Sequence, residues 1–291
     1  MSLTDGSPRL CLTVDVEDWV QSTLDFDAHL TDRCRANTLR MLDLIESLGW
    51  RATCFVQGYV ARDYPDVVAE IARRGHEVGC HSDSHRPLHV MSAAALRREL
   101  SEARARIEDA CGRKVVGFRA PDFSIGPPCD RLAEVNRDVF RALAEQGYVY
   151  DSSVVPARMR RYGVRTAPPG PFRLHEGPLE IPLGSVRLHR RLPALGGGYL
   201  RIFPLGYHRL AMVQADEDGR VPVVYVHPYE LDSGELAALA RSHRIPLRLR
   251  LSQGLGRARM AGKLAAVLRD RRPVLMRDLA AELAEKPMPY A

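Results

Sequence analysis

The 291-residue sequence has no apolar run of about 20 residues, which excludes a membrane-spanning helix. It has no stretch that reads as a secretory leader. Met1 to Pro8 is polar, and the apolar run Leu10 to Val16 is short and interrupted by Asp15. The six cysteines (Cys11, Cys34, Cys54, Cys80, Cys111, Cys129) form no Cys-x-x-Cys pair, which excludes a zinc knuckle. Several lie in strand-like apolar runs, as buried reduced thiols do. A cytoplasmic location is expected from these features. Gly196-Gly197-Gly198 has no strand leading in and no Lys-Ser/Thr after it, so it is read as a turn and not a phosphate cradle. No internal repeat or low-complexity linker interrupts the chain. A single domain over 1–291 is expected.

What is present is ordinary in bulk and uneven in charge. The chain is 45% hydrophobic and 27% charged, enough to bury a large core. Residues 239–291 carry 12 Lys/Arg against 4 Asp/Glu, while the remainder carries 30 against 32. The basicity is that of a C-terminal helical part of the domain. A solvated arginine-rich face explains it most simply. Contact of an amphipathic helix, Arg257 to Arg271, with anionic lipid is the sharper reading. No nucleic-acid partner is expected, and the sequence leaves the oligomeric state open.

Strand and helix patterns alternate along the chain. Leu10 to Trp19 opens as a buried strand that ends in three carboxylates, Asp15, Glu17 and Asp18. Helix Thr31–Leu48, strand Arg51–Val56, helix Tyr64–Arg74 and strand Glu77–Cys80 follow. Ser92 caps a helix to Ala110, with Gly112 beyond it. Strand Val115–Phe118, helix Val135–Gln146 and strand Tyr148–Tyr150 come next. Pro156 to His175 reads as loop. Short strands Phe172–Leu174 and Leu179–Leu183 flank His175-Glu176-Gly177. A helix over Pro204–Ala215, a strand over Val221–Val226, a last strand at Val274–Met276 and a helix over Asp278–Ala284 complete the pattern. This alternation predicts a parallel α/β sheet, and the length suits one (β/α) barrel.

Each strand ends in polar residues, and strand C-termini build the sites of such folds. His81-Ser82-Asp83-Ser84-His85 follows one strand, with its imidazoles spaced to share a face on one helical turn. Asp15, Arg119, Asp151 and His227 follow others. Two histidines and a carboxylate hold zinc or another divalent ion. Such an ion acidifies water and polarises a carbonyl. A further carboxylate and a further histidine supply general base and acid. Together these parts outline an amide or ester hydrolase.

The ordered set Thr-Val-Asp-Val-Glu-Asp, His-Ser-x-Ser-His, Arg-Ala-Pro-x-Phe, Tyr-Asp-Ser-Ser and a late His-Pro resembles the polysaccharide deacetylase family (carbohydrate esterase family 4, the NodB-homology domain). Asp15 to Trp19, Gly197 to Arg201 and His227 to Glu230 resemble more closely the branch found with bacterial exopolysaccharide clusters. The resemblance implies a distorted parallel (β/α) barrel of about seven strands. It also implies metal-dependent removal of N-acetyl groups from an amino-sugar glycan or precursor. Zinc is the first expectation for the metal, with cobalt, nickel and iron(II) as alternatives.

Carried over, Asp15 matches the base, His81 and His85 the ligands, Arg119 the arginine that holds the base, and His227 the acid. Asp151 sits near a motif that steadies acid or base. Asp122 and Phe123 mark the oxyanion and substrate side, where Trp19 and Tyr229 are candidate sugar platforms. The family's second aspartate is Val16 here, so the third ligand falls to Glu17 or Asp18. Glu17 is favoured, because it shares a strand face with Asp15. The departure keeps open an amidohydrolase of small ureides. A non-catalytic glycan-binding protein is the alternative of another class.

Overall fold

The computed structural model describes residues 6–175 and 177–290. Among these, eleven strands are β1 (Arg9–Val16), β2 (Thr53–Val56), β3 (Glu77–Cys80), β4 (Gly117–Phe118), β5 (Tyr150–Asp151), β6 (Phe172–Arg173), β7 (Leu179–Glu180), β8 (Ser185–Arg187), β9 (Arg191–Pro193), β10 (Val223–Val226) and β11 (Arg272–Pro273). One sheet runs β10-β1-β2-β3-β4-β5-β7-β6, with β11 joining β1. The seven strands from β10 to β7 are parallel, and β6 lies antiparallel at the edge. The sheet curls into an incomplete barrel. The chain after β7 bridges the gap, where Gly184 N–H donates to Val223 O on β10 (3.2 Å).

Side-chain alternation sorts the core into two parts. Leu10, Leu12, Val14 and Val16 of β1 join the cluster under the outer helices. Cys11 faces inward with Phe55, Tyr150 and Tyr225. Thr13 and Asp15 follow the same inward face, and Glu17 continues it beyond the strand. The interior is too narrow for side chains everywhere. A Cβ at Gly79 would lie 2.7 Å from Phe55, and one at Gly117 would lie 2.1 Å from Tyr150. The bottom is plugged by Glu77, which accepts from Thr53 Oγ1 (2.6 Å), Tyr150 OH (2.8 Å) and Arg277 N–H (3.0 Å). Helix Met276–Ala284 thereby closes that end.

Several elements differ from the sequence pattern. A helix at Gly58–Asp63 precedes the expected one, which occupies Pro65–Arg73. The three glycines are not a free turn, because helix Gly197–Ile202 starts within them. The last strand is Arg272–Pro273, and Met276 begins a helix, its N–H given to Thr53 Oγ1 (3.0 Å). Arg257 to Arg271 is not one amphipathic helix. It divides into a turn at Arg257–Arg259 and a helix at Met260–Leu268, whose Met260, Leu264, Val267 and Leu268 are buried. The expected hairpin strands at 172–174 and 179–183 pair as β6 and β7, while Glu176 between them lies outside the described residues. Among the described residues no helix is long and apolar enough to cross a membrane.

Candidate active site

At the C-terminal ends of the parallel strands lies a cavity of about 470 Å³, lined among others by Asp15, Glu17, His81, His85, Asp122, Phe123, His227 and Tyr229. β1 delivers the first two residues, β3 the histidine pair, and β10 delivers His227 and Tyr229. The sequence assembles here as strand-end chemistry requires.

Glu17 meets both histidines. Its Oε2 lies 2.6 Å from His85 Nε2 and 3.2 Å from His81 Nε2. One ligand atom from each of the three lies within 4.8 Å of the others. His81 Nδ1 is 2.9 Å from Arg119 O. A carbonyl only accepts, so Nδ1 carries the proton and Nε2 is left as a free ligand atom. Glu17 Oε2 is buried without a hydrogen-bond donor among the described residues. The free His81 Nε2, the His85 Nε2 and one carboxylate oxygen converging in this way fit a divalent ion. Burial pushes the Glu17 carboxyl up, but His85, His81 and His227 together hold it well below the ordinary value. Burial likewise depresses His85, and Glu17 more than reverses this.

The histidines do not reach this arrangement on a helical turn. His81 to His85 form a loop in which Ser82 and His85 have φ of 61° and 62°, in the left-handed region. One oxygen of Glu99, from helix Ala93–Cys111, holds that loop. It receives Ser82 Oγ (2.8 Å), Asp83 N–H (3.1 Å), Ser84 N–H (2.7 Å) and Ser84 Oγ (2.8 Å). Asp83 in turn pairs with Arg106 of the same helix.

Asp15 is held from below. Arg119 is fully buried and donates from Nη1 to Asp15 Oδ1 (2.8 Å) and Thr13 Oγ1 (2.7 Å). Its other nitrogens donate to Ser152 O (3.0 Å) and Ser152 Oγ (2.9 Å). The Phe55 ring supports the guanidinium at 4.3 Å. A charge-assisted pair of this kind fixes the aim of the carboxylate.

His227 faces Glu17 from the opposite wall, Nε2 being 3.9 Å from Oε1. Its ring stacks on Tyr229 at 4.8 Å. Tyr229 OH donates to Glu17 Oε1 (3.3 Å). Glu230 Oε2 accepts His227 N–H (3.0 Å) and lies 3.5 Å from its Nδ1. Arg201 Nε donates to Glu230 Oε1 (2.7 Å). Burial pulls His227 down, but Glu230, Glu17 and Asp15 raise it to about 9. The ring is therefore a proton donor at neutral pH.

Three expected residues fall elsewhere. Asp18 is the N-cap of helix Trp19–Thr23, accepting from Val20 N–H (2.8 Å), Gln21 N–H (3.1 Å) and Thr31 N–H (3.0 Å). Its carboxylate is spent there, outside the Glu17–His81–His85 group. Trp19 is 1% exposed in an apolar cluster with Leu236, Leu239 and Ile245, and offers no face to the cavity. Asp151 is fully buried and does not line the cavity. It accepts from Ser153 Oγ (2.6 Å), which in turn accepts Ala120 N–H (2.8 Å) and so steadies the Arg119 turn. Asp122 and Phe123 do line the cavity, at φ of 49° and 55°. Phe123 N–H is engaged by Ala120 O (3.1 Å), so Asp122 N–H is the backbone candidate for an oxyanion.

Sequence reasoning missed as supports Glu99, Ser152 and Glu180, the last paired in register with Asp151 and accepting Val154 N–H (2.9 Å), and gave Glu230 and Arg201 no role. The last two stood inside the motifs at 197–201 and 227–230, which was the available signal. Nothing local marks Glu99 or Glu180.

Residues 16–150 match the family model described as polysaccharide deacetylase. This stretch belongs to the polysaccharide deacetylase family. Residues 152–281, which hold His227, match a model described as a domain of unknown function, DUF3473. A chitin deacetylase from Pestalotiopsis sp is 32% identical over 92 residues, 31% of this chain and 31% of its own length. A chitooligosaccharide deacetylase from Rhizobium leguminosarum bv. trifolii is 33% identical over 93 residues, 32% of this chain and 42% of its own. The chain thus spans less than half of these relatives. Among solved structures, a putative polysaccharide deacetylase from Mycobacterium smegmatis superposes with TM-score 0.66 at 21% identity, covering 100% of this chain and 96% of that one. A Puue allantoinase gives 0.62 at 15% identity, covering 98% and 93%. At these identities the two share the fold.

Proposed function

We propose that the protein hydrolyses the N-acetyl amide of an amino sugar in a glycan or glycan precursor, releasing acetate and a free amine. The observation that carries this reading is the convergence of three parts in one cavity. They are the Asp15–Arg119 pair, the Glu17–His81–His85 group and the raised His227. The deacetylase relatives support acetylated amino sugars as the substrate class, and the motifs at 197–201 and 227–230 support a bacterial exopolysaccharide.

A divalent ion held by Glu17, His81 and His85, with zinc suited to this donor set, would acidify water and polarise the acetyl carbonyl. Asp15, aimed by Arg119, takes the proton of the attacking water. Asp122 N–H offers a donor to the carbonyl side of the cavity, while Tyr229 OH is given to Glu17. His227 gives its proton to the leaving nitrogen, and Glu230 and Arg201 hold the ring for that transfer. The amide C–N bond breaks, the nitrogen leaves as an amine, and the acyl carbon keeps the water oxygen as acetate.

Acetate release from N-acetylglucosamine oligomers tests the reading. Asp15→Asn and His227→Ala should each lower kcat by about 100-fold or more, which is the scale of a lost acid or base. Release by Asp15→Asn at the wild-type rate would overturn it.

A further inference from the structure

Helix Leu247–Gly254 has no buried residue, although it carries three leucines in eight positions. A helix with this composition usually turns its leucines inward. Here the pattern is Leu247-Arg248-Leu249-Arg250-Leu251. At about 100° per residue, Leu249 and Gln253 point one way while Leu247 and Leu251 point the other. Leu249, Ser252 and Gln253 line the active-site cavity, and Leu249 packs against the Trp19 and Tyr229 cluster. That fixes the inward side. Leu247 and Leu251 therefore stand in solvent at 68% and 65% exposure, with Arg248 and Arg250 exposed on their two flanks.

The stripe continues beyond the helix. Leu255 is 61% exposed, and Arg201 Nη1 donates to its carbonyl (2.7 Å). This ties it beside Ile202 and Phe203, which are also exposed. The surrounding charge has one sign. From Leu236 to Arg269 the sequence holds seven arginines, one lysine and no Asp or Glu. Arg257 and Lys263 are occupied inside the fold, with Glu235 and with the carbonyls of Arg201 and Phe203. Arg241, Arg244, Arg248, Arg250, Arg259 and Arg269 are exposed. An apolar ridge flanked by arginines, with no carboxylate in its stretch, is complementary to an anionic lipid surface.

We propose that the Leu247–Gly254 helix, with Leu255, Ile202 and Phe203, docks the protein on an anionic bilayer. The leucines enter the headgroup boundary and Arg248 and Arg250 meet lipid phosphates. The inner side of the same helix is a wall of the cavity, so docking holds the site within about one helix diameter, ~10 Å, of the membrane surface. Docking is independent of the reaction assigned to the cavity. It differs from a tail held by charge alone, because both the apolar stripe and the arginines contribute.

Flotation of the full chain tests this, using phosphatidylcholine vesicles with and without about one-third phosphatidylglycerol. Binding is expected to the anionic vesicles only, and it should weaken as salt rises past about 0.1 M. Arg248→Ala/Arg250→Ala should lower the partition constant about 25-fold, at about five-fold per arginine. Leu247→Ser/Leu251→Ser should lower it at least about ten-fold. These exposed substitutions should leave the unfolding transition unchanged, which serves as the folding control. No flotation at low salt overturns the proposal. So does flotation that neither variant weakens. Sedimentation in which the leucine variant dissociates a wild-type dimer, without vesicle binding, would make the face a contact between two copies and would also overturn it.

Discussion

Glu99 lies outside the cavity, yet the geometry of the histidine pair depends on it. One of its oxygens receives two backbone N–H groups and two serine hydroxyls from the loop between His81 and His85. In Glu99→Ala the hydroxyls can rotate toward water, but Asp83 N–H and Ser84 N–H cannot move without moving the loop. Two stranded donors at about 1–3 kcal/mol each, offset in part by water at this half-buried position, give a loss of about 2–4 kcal/mol. Ser82 and His85 sit in the left-handed region, which the loop keeps only while its surroundings hold it there. The ligand atoms of His81 and His85 should therefore loosen as well, lowering affinity for a divalent ion by about 10–100-fold. Urea unfolding of the ion-free protein measures the first effect and calorimetric ion titration the second. Glu99→Gln keeps an acceptor and should lose about half as much. Unfolding within ~0.5 kcal/mol of wild type together with unchanged ion affinity in Glu99→Ala would refute the reasoning.

His76 is fully buried, takes Ala52 N–H on Nδ1 (3.1 Å), and is lowered to about 4 chiefly by burial. The unfolded chain binds this proton near 6.5 and the folded chain does not. Stability should thus fall by about 3 kcal/mol as pH drops from 6.5 toward 4, and His76→Gln should flatten that slope in urea unfolding. Glu230→Gln removes one of the carboxylates that raise His227 to about 9. The alkaline limb of kcat/KM, where the acid is lost as pH rises, should move about 1–2 pH units lower, and an unmoved limb would remove His227 as the acid. Asp151 and Glu180 face each other across β5 and β7; burial raises both, and the neighbouring Asp151 carboxylate raises Glu180 further. The folded pair holds a proton that the unfolded chain releases. Stability should therefore decline as pH rises past the ordinary Glu value of 4.5, and Glu180→Gln should lessen that decline in unfolding measured upward from that pH.

The barrel was legible because buried parallel strands read as continuous apolar runs and their helices carry caps. β3 occupies the expected Glu77–Cys80, and Ser92 and Gly112 bracket their helix. The side on which Glu17 stands was legible because side-chain alternation is a local rule: Asp15 and Glu17 share a face, and Asp18 faces away into a helix cap. The histidine pair was found for a spacing that its loop does not use. Two left-handed residues and Glu99, brought in from a helix that starts several residues later, produce the convergence. Helix Gly58–Asp63 was missed because its glycine start is dictated by a neighbour. A Cβ there would lie 2.0 Å from Asp83 Oδ1. Arg257 to Arg271 reads as one amphipathic helix because basic residues at both ends flank the apolar positions between them. The fold instead starts the helix at Met260, buries Met260, Leu264, Val267 and Leu268, and leaves helix Leu247–Gly254 outside, a choice made by tertiary packing.

The most direct measurement is the divalent-ion content of purified wild type, Glu17→Gln and Asp18→Asn. With Glu17, His81 and His85 as the ligands, wild type and Asp18→Asn should each hold one ion per chain, and Glu17→Gln should hold essentially none. An ion retained in Glu17→Gln and lost in Asp18→Asn would contradict the account.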